Sequence, residues 1–319
     1  MKTGIVGLGH LGKIHLKLLK ELLEFNVVTF FDANLSVIGE ITKHYQIQAS
    51  KNYEELLSVV DAVVIVTPTL THYELAAKAI KQGKHVFIEK PATLHVAETT
   101  KLAKLAREAG VIVQVGHVER YNPAFIVSRD SIKNPYLIEA ERLAFYNVRG
   151  TDVSVVMDLM IHDIDLVLTM VKSKIKRISA TGKALVSHRA DIACAIIEFE
   201  NGCMAKLTAN RISQHNIRKL DVFQDRTHIY IDLLNKTSTV TDILPYSNSQ
   251  SGNVIIETGD HQAKYELHTN KPMVNPNNAI KMELLDFYKS IHERKPISVS
   301  LNDAEAALMV ANQIDEQIH

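Results

Sequence analysis

The sequence predicts an α/β domain built on a doubly wound parallel sheet, followed by an α+β domain with a mixed, largely antiparallel open sheet. Three observations predict it. Up to residue 116, short apolar runs alternate with segments of helical period. A glycine-rich turn joins the first run to the first helix. After Tyr121 the pattern changes to alternating strands and hairpin signals. The expected domains are 1–120 and 121–319.

The first strand carries Ile5-Val6 and ends in Gly7-x-Gly9-x-x-Gly12. Leu11, Ile14, Leu18, Leu19 and Leu22 then fall on one helical face. Strand, glycine turn and helix are the context of a dinucleotide-binding Rossmann loop. Gly7 permits the tight turn, Gly9 lets backbone approach a pyrophosphate, and Gly12 lets helix pack on strand. The helix N-terminus offers N–H groups and partial positive charge to that pyrophosphate. A second strand, Val27–Phe31, ends at Asp32, 20 residues past Gly12. A carboxylate there accepts hydrogen bonds from a ribose diol and repels a 2′-phosphate, so NAD is expected rather than NADP. Asn34 is the expected N-cap of the next helix, 35–45.

A short extended piece follows around Ile47, then a short helix at 54–58. The run 62–66 is a continuous apolar strand, as when both faces of a parallel sheet are covered. Thr71 and Glu74 have capping-box spacing for a helix at 72–82, closed by Gly83. Strand 85–88, helix 95–109 and strand 112–115 complete the repeat. Ligands bind at the carboxyl ends of such strands, where Thr67, Glu89, Lys90 and His117 fall. Asn122-Pro123 starts a helix. Strands are expected at 136–145, in an Asn-Gly hairpin over 193–208, at 220–223 with 228–232, at 254–257 and at 263–267, interrupted by one helix at 155–171. Residues 234–278 are rich in Ser, Thr, Asn and Pro and read as loops. Helices 279–293 and 303–317 end the chain, the last capped by Asn302 with Glu305 three further on.

Composition narrows the function. Lys+Arg and Asp+Glu are both 36 in 319 residues, and hydrophobic residues make 46 %. This is an ordinary globular balance that points to neither nucleic acid nor a membrane surface as main partner. No apolar run has the length of a membrane span. The start enters a strand at once, so no signal peptide and a cytoplasmic location are expected. A two-residue turn at Asn201-Gly202 sets Cys194 opposite Ala209, and both Cys194 and Cys203 read as reduced packing residues.

Helix 155–171 carries the most informative side chains. Asp158 and His162 are four apart on one face, and Asp165 shares it among almost wholly apolar neighbours. Carboxylates and an imidazole in such a helix must face a wet cleft or one another. Spacing alone fits a proton shuttle and a satisfied polar network equally. No further ligand motif accompanies them, so no metal is expected. Lys90 follows an apolar strand, precedes Pro91 and sits at the ligand edge, where partial desolvation suits it to hold a substrate hydroxyl. A surface lysine capping a strand is the bland alternative.

Gly-x-Gly-x-x-Gly with His15, Thr67-Pro68 with His72, Glu89-Lys90-Pro91, Gly116-His117 and Asp158-x-x-x-His162 occur in order along nearly the whole chain. Together they resemble the glucose–fructose oxidoreductase / inositol dehydrogenase / rhizopine (Gfo/Idh/MocA) family. The resemblance implies an NAD-dependent dehydrogenase of sugar metabolism acting on a secondary alcohol, with Lys90, Asp158 and His162 as its catalytic group. It implies cofactor contacts from Gly7, Gly9, His10, Leu11, Gly12, Asp32, Thr67, Pro68, His72, Glu89, Lys90 and His117. It also implies a homo-oligomer, dimer or tetramer, formed through the open sheet. The stretches 116–124 and 152–165 are similar to the UDP-N-acetylglucosamine 3-dehydrogenase subgroup, which implies a sugar or UDP-sugar substrate met by Arg120, Tyr121, Asn122 and Asp165. Arg120, Arg142, Arg149 and Arg211 are candidates for a diphosphate, although each also suits an exposed or ion-paired arginine. The rival reading is a cofactor-binding sensor of the same fold without chemistry. The intact Lys90, Asp158 and His162 set argues against it.

Overall fold

The computed structural model describes residues 1–148, 150–247, 254–259 and 263–318. The chain forms two compact units, Met1–Val118 with Asn278–Met309, and Glu119–Asn277 with Val310–His319.

In the first unit, strands β1 (Lys2–Val6), β2 (Asn26–Phe31), β3 (Ala62–Ile65), β4 (His85–Glu89) and β5 (Val113–Gly116) form one parallel sheet in the order β2-β1-β3-β4-β5. Helices α1 (His10–Glu21), α2 (Leu35–Tyr45), α3 (Tyr53–Val59), α4 (His72–Lys81) and α5 (Val96–Ala109) alternate with the strands. The extended piece expected near Ile47 is reduced to a single parallel bridge, Ala49 to Phe30 on β2. Strand order reverses between β1 and β3, which opens the crevice where a doubly wound sheet takes its ligand.

The core of this unit includes Ile5, Phe30, Val64 and Phe87 from the sheet and Leu16 and Leu19 from α1. Leu284 and Phe287 of α8 (Ala279–His292) join it, with the Phe287 ring edge-on to Phe87 at 6.0 Å. The Gln114 amide donates to the Glu283 carbonyl at 2.9 Å. The sequence reading gives this tail to the second domain. The apolar stripe of α8 places it with the first unit instead. Chain order carries no signal of such a return.

Two caps differ from expectation. A 3₁₀ turn, Thr69–Thr71, precedes α4, and the Thr71 hydroxyl donates to the Pro68 carbonyl and to Thr67. Thr71 therefore makes no side-chain cap. At helix α9 (Leu301–Gln317) the reciprocal cap is Ser300 with Asp303, two residues ahead of the expected Asn302 and Glu305. Both pairs have capping-box spacing, and the earlier one captures the helix start. Asn34 caps α2 as expected, accepting from the Ser36 N–H at 2.9 Å.

The second unit is built on a nine-stranded sheet in the order β13-β14-β12-β11-β10-β6-β9-β8-β7. Its strands are β6 (Leu137–Leu143), β7 (Ile175–Lys183), β8 (Ile192–Phe199), β9 (Met204–Asn210), β10 (Ile217–Gln224), β11 (Thr227–Asp232), β12 (Thr237–Pro245), β13 (Val254–Glu257) and β14 (Lys264–Asn270). β6 and β9 pair parallel, and the other neighbours pair antiparallel. Alternate residues such as Ile138, Ala140, Leu207, Val222 and Ile231 are buried. The other face is half-exposed and carries cross-strand pairs, Lys206–Glu139 and Lys219–Glu141. Helices α6 (Pro123–Arg129) and α7 (Ile161–Met170) belong to this unit.

β7 and β12 are absent from the sequence reading. β7 alternates weakly because it is an edge strand with mostly exposed polar residues. β12 hides in a Ser/Thr-rich run whose threonines suit a pleated surface. The hairpin register also differs. Cys194 stands opposite Thr208, not Ala209, because the loop has three residues, Glu200–Gly202, with Gly202 at φ +88°. The two thiols remain free.

The tightest packing in the first unit is at the glycine turn. A Cβ on Gly12 would lie 2.0 Å from the Gly7 carbonyl oxygen, a backbone atom with nowhere to go. Gly12→Ala is therefore expected to cost at least about 1–3 kcal/mol of stability, the usual range for overpacking. Urea unfolding of the purified variant checks this, and an unchanged midpoint would contradict it.

Candidate active site

The cofactor side is built from the ends of β1 to β5. Gly7 has φ +86°, and the chain turns there into α1. Gly9 caps α1 without a side chain, and a Cβ on it would meet nothing within 4 Å. No acidic residue occupies the first turn. The space beside Gly9, at a helix N-terminus, fits a dinucleotide pyrophosphate. His10 and Leu11 are exposed on the same turn. Asp32 ends β2, where its carboxylate accepts from the Leu8 N–H at 2.6 Å and the Asn34 N–H at 2.8 Å. It therefore braces the glycine loop and presents negative charge at the position that suits NAD.

Thr67 and Pro68 follow β3, partly or fully exposed. His72 and Glu89, expected to touch the cofactor, are buried and bonded within the first unit. The His72 ring lies 2.8 Å from the Thr67 carbonyl and 3.0 Å from the Pro91 carbonyl, stapling the turn after β3 to the segment after β4. Burial holds its pKa below the ordinary imidazole value. The Glu89 carboxylate lies 2.7 Å from His15 Nε2 on α1 and packs on Gly116, where a Cβ would approach it to 2.8 Å. Burial pushes this carboxyl up, but the His15 bond and the charges of His15 and Lys90 outweigh that and leave it below the usual range. Lys90 is half-buried just past β4, and His117 is buried just past β5.

In the second unit, Asp158 and His162 lie in the segment before β7. The first turn is not α-helical. Residues Val156–Met160 form a π turn that runs into α7. The Ile161 N–H reaches the Val156 carbonyl, five residues back. Such widened turns recur at functional sites, and this one contains Asp158. Both Asp158 and His162 are half-buried. Their neighbours Asp163 and Asp165 are buried and committed. Arg142 on β6 bonds Asp163 through Nε and Nη2, at 3.0 and 2.7 Å, and Glu119 through Nη1 at 2.8 Å. Burial raises the Asp163 pKa despite Arg142. Glu119 is buried too, but Arg142, Asn122 and Arg218 hold it below its ordinary value.

The substrate contacts expected from the sequence are mostly turned inward. Arg120 and Asp165 meet each other in a bidentate pair at 2.8 and 2.6 Å. The Asn122 amide donates to Glu119 and to the Leu233 carbonyl, and its oxygen caps α6 at Ala124. Asn122 is thus a structural residue of this unit. Tyr121 is buried beside it. Of the diphosphate candidates, Arg142 and Arg211 are ion-paired at 3 % exposure, and Arg149 lies outside the described residues. Sequence reasoning missed Asp163 and Glu119. The signal for Asp163 was available, since a charged residue inside an apolar helix needs a buried partner, whereas Glu119 sits in the short turn Val118–Tyr121 and carried none. Among the described residues, no group of three metal-ligating side chains is placed to hold an ion.

Comparison with known proteins decides what this arrangement belongs to. The sequence model described as "Oxidoreductase family, NAD-binding Rossmann fold" matches residues 1–117, and that of the "GFO/IDH/MocA C-terminal domain" matches residues 133–232. A UDP-N-acetylglucosamine 3-dehydrogenase from Acidithiobacillus ferrooxidans is 37 % identical over 238 residues, covering 74 % of this chain and 75 % of that protein. The chain belongs to the Gfo/Idh/MocA oxidoreductase family. The solved structure of the Acidithiobacillus enzyme matches with TM-score 0.89 at 30 % identity, covering 100 % of this chain and 97 % of that one. A scyllo-inositol 2-dehydrogenase (NAD(+)) from Bacillus subtilis is 28 % identical over 284 residues, 77 % of this chain and 80 % of that protein. The fold and the cofactor class read from the glycine turn stand: this Gfo/Idh/MocA protein is an NAD-binding oxidoreductase, and its named relatives are dehydrogenases.

Two outcomes follow from the buried charges. Arg142→Leu strands Glu119 and Asp163 without their counter-charge and is expected to cost about 3–5 kcal/mol. Equilibrium unfolding checks it, and a loss below about 1 kcal/mol would contradict the network. The Glu89 carboxyl is depressed in the folded state, so its stabilisation is present above the ordinary carboxylate pKa and is lost as pH falls through the folded value. Stability should decline as pH falls below the ordinary carboxylate range, and Glu89→Gln should make that decline shallower. Thermal melts across this range read the slope.

Proposed function

We propose that this dehydrogenase acts on a secondary alcohol of a nucleotide sugar, C3 of UDP-N-acetylglucosamine being the leading candidate. The observation that carries the proposal is the match to the UDP-N-acetylglucosamine 3-dehydrogenase, 37 % identical over most of both chains. An intact Lys90, Asp158 and His162 set supports it. When bound, NAD supplies hydride acceptance from the ring carbon. The remaining work falls to the chain. His162, oriented by Asp158, takes the hydroxyl proton, and the role proposed for Lys90 is a hydrogen bond to substrate oxygen as negative charge develops. Gly7, Gly9, Gly12 and Asp32 hold the dinucleotide, with His72 and Glu89 fixing the backbone around it.

The proposal extends to assembly and location. The half-exposed face of the nine-stranded sheet suits contact with a second copy as a dimer or tetramer. Two free cysteines suit a reducing, cytoplasmic setting. Match to the inositol dehydrogenase favours a second reading, a free polyol ring as substrate.

NAD reduction followed by absorbance, with UDP-N-acetylglucosamine, other UDP-sugars and inositols, separates the two readings. Turnover of inositols alone would overturn the first. Lys90→Met and His162→Ala are each expected to lower kcat by about 10²–10⁴-fold, and NADH binding by fluorescence stays near wild type in His162→Ala. Near-normal kcat in both would refute the assignment.

A further inference from the structure

The sequence singles out Arg211 as a possible diphosphate ligand, but the structure commits it elsewhere. Arg211 follows β9 and is 3 % exposed. Its Nε donates to Asp191 Oδ1 at 2.9 Å and its Nη2 donates to the Ser187 hydroxyl at 2.8 Å. Its Nη1 donates to two backbone carbonyls, Gly150 at 2.9 Å and Val153 at 2.8 Å. Asp191 is itself fixed, since its other oxygen accepts from the N–H groups of Leu185, Val186 and Ser187. Burial would raise the Asp191 carboxyl, but these bonds hold it well below the usual carboxylate range. It is an anchored anion, and Arg211 is anchored on it.

The bonds to Gly150 and Val153 fix the strap that leads into the π turn. Gly150 has φ +85°, and its Cα faces the Asp158 carboxylate. A Cβ there would lie 2.9 Å from Oδ2 and 3.2 Å from Oδ1. Backbone at residue 150 is thus the wall against which the carboxylate rests. The loop holding Asp191 adds a tie of its own, the Val155 N–H donating to the Ala190 carbonyl at 2.8 Å. One guanidinium reaching four acceptors in fixed directions is work that a lysine ammonium does not reproduce.

We infer that Arg211, locked on Asp191, is a positioning residue that sets the place of the Asp158 carboxylate through the 150–153 strap. This rests on the reading of Asp158 and His162 as the proton-handling pair. The role is remote from substrate: Arg211 holds backbone, that backbone walls the carboxylate, and the carboxylate orients the imidazole.

The test uses the full-length protein and needs no substrate for its first arm. The ring ¹⁵N signals of His162 report its tautomer. Asp158→Asn should move them, and Arg211→Lys should move the same signals in the same direction, with little further change in the double variant. A merely structural role would lower the melting temperature and leave the signals in place, which overturns the inference. If Asp158→Asn itself leaves them unmoved, the pair reading fails and this inference falls with it, so the two failures are told apart. Asp191→Asn, which keeps the side-chain shape, replaces Arg211→Lys if that variant does not fold. The second arm is kinetic, with UDP-N-acetylglucosamine and NAD. Arg211→Lys should lower kcat by about tenfold or more with KM and NADH affinity within about twofold. In the Asp158→Asn background the same substitution should change kcat by less than about twofold. Equal, additive losses in both backgrounds would overturn the proposal.

Discussion

Three arginines, two buried and one part-buried, brace the second unit on carboxylates: Arg142 on Asp163 and Glu119, Arg211 on Asp191, and Arg120 on Asp165. A buried guanidinium without its partner is so costly that these pairs leave little freedom to the elements carrying them. All three bear on the same segment. Arg211 fixes the strap before the π turn, Arg142 reaches Asp163, the third residue of α7, and Arg120 holds the helix further on. The apolar residues of α7 supply burial, which is non-directional. The charge pairs supply direction. Asp158 and His162 ride on a helix whose rotation is set by its neighbours Asp163 and Asp165.

The first unit solves a different problem with different means. Its ligand edge must be backbone-rich and open, so its rigidity cannot come from side chains that would fill the space. Glycines give the approach, and buried polar groups behind them give the stiffness. Asp32 bonds the Leu8 N–H, His15 meets Glu89 between α1 and β4, and His72 staples the turns after β3 and β4. Two residues of the family-like motif set, His72 and Glu89, thus brace the backbone at the ligand edge of the sheet. Their place in the motif reflects the backbone geometry they impose.

The relatives match across both units, from the glycine turn to the sheet of the second unit. A shared fold by itself is silent about chemistry. Proton handling needs only a few side chains, the part proposed here for Lys90 and the Asp158–His162 pair. Substrate choice lives in residues whose signals are weaker. Several candidates for that role, Arg120, Asn122 and Arg142, turn out to be spent on holding the scaffold.

By itself the sequence determined the alternation of strands and helices in the first unit, the glycine turn, Asp32 and the NAD preference, and the Asn34 and Asn122 caps. These are local features, written in residues adjacent in the chain or separated by one helical turn. Tertiary structure alone decided the return of α8 to the first core, because its Leu284 and Phe287 find Phe87 only in space. It decided β7, whose edge position weakens the alternation that marks a strand, and the hairpin register, which hung on one residue of loop length. It decided the π turn under Asp158 and the partners of every buried arginine. Those pairs join residues 20 to 45 positions apart, and charge can be counted along a sequence while its partner cannot.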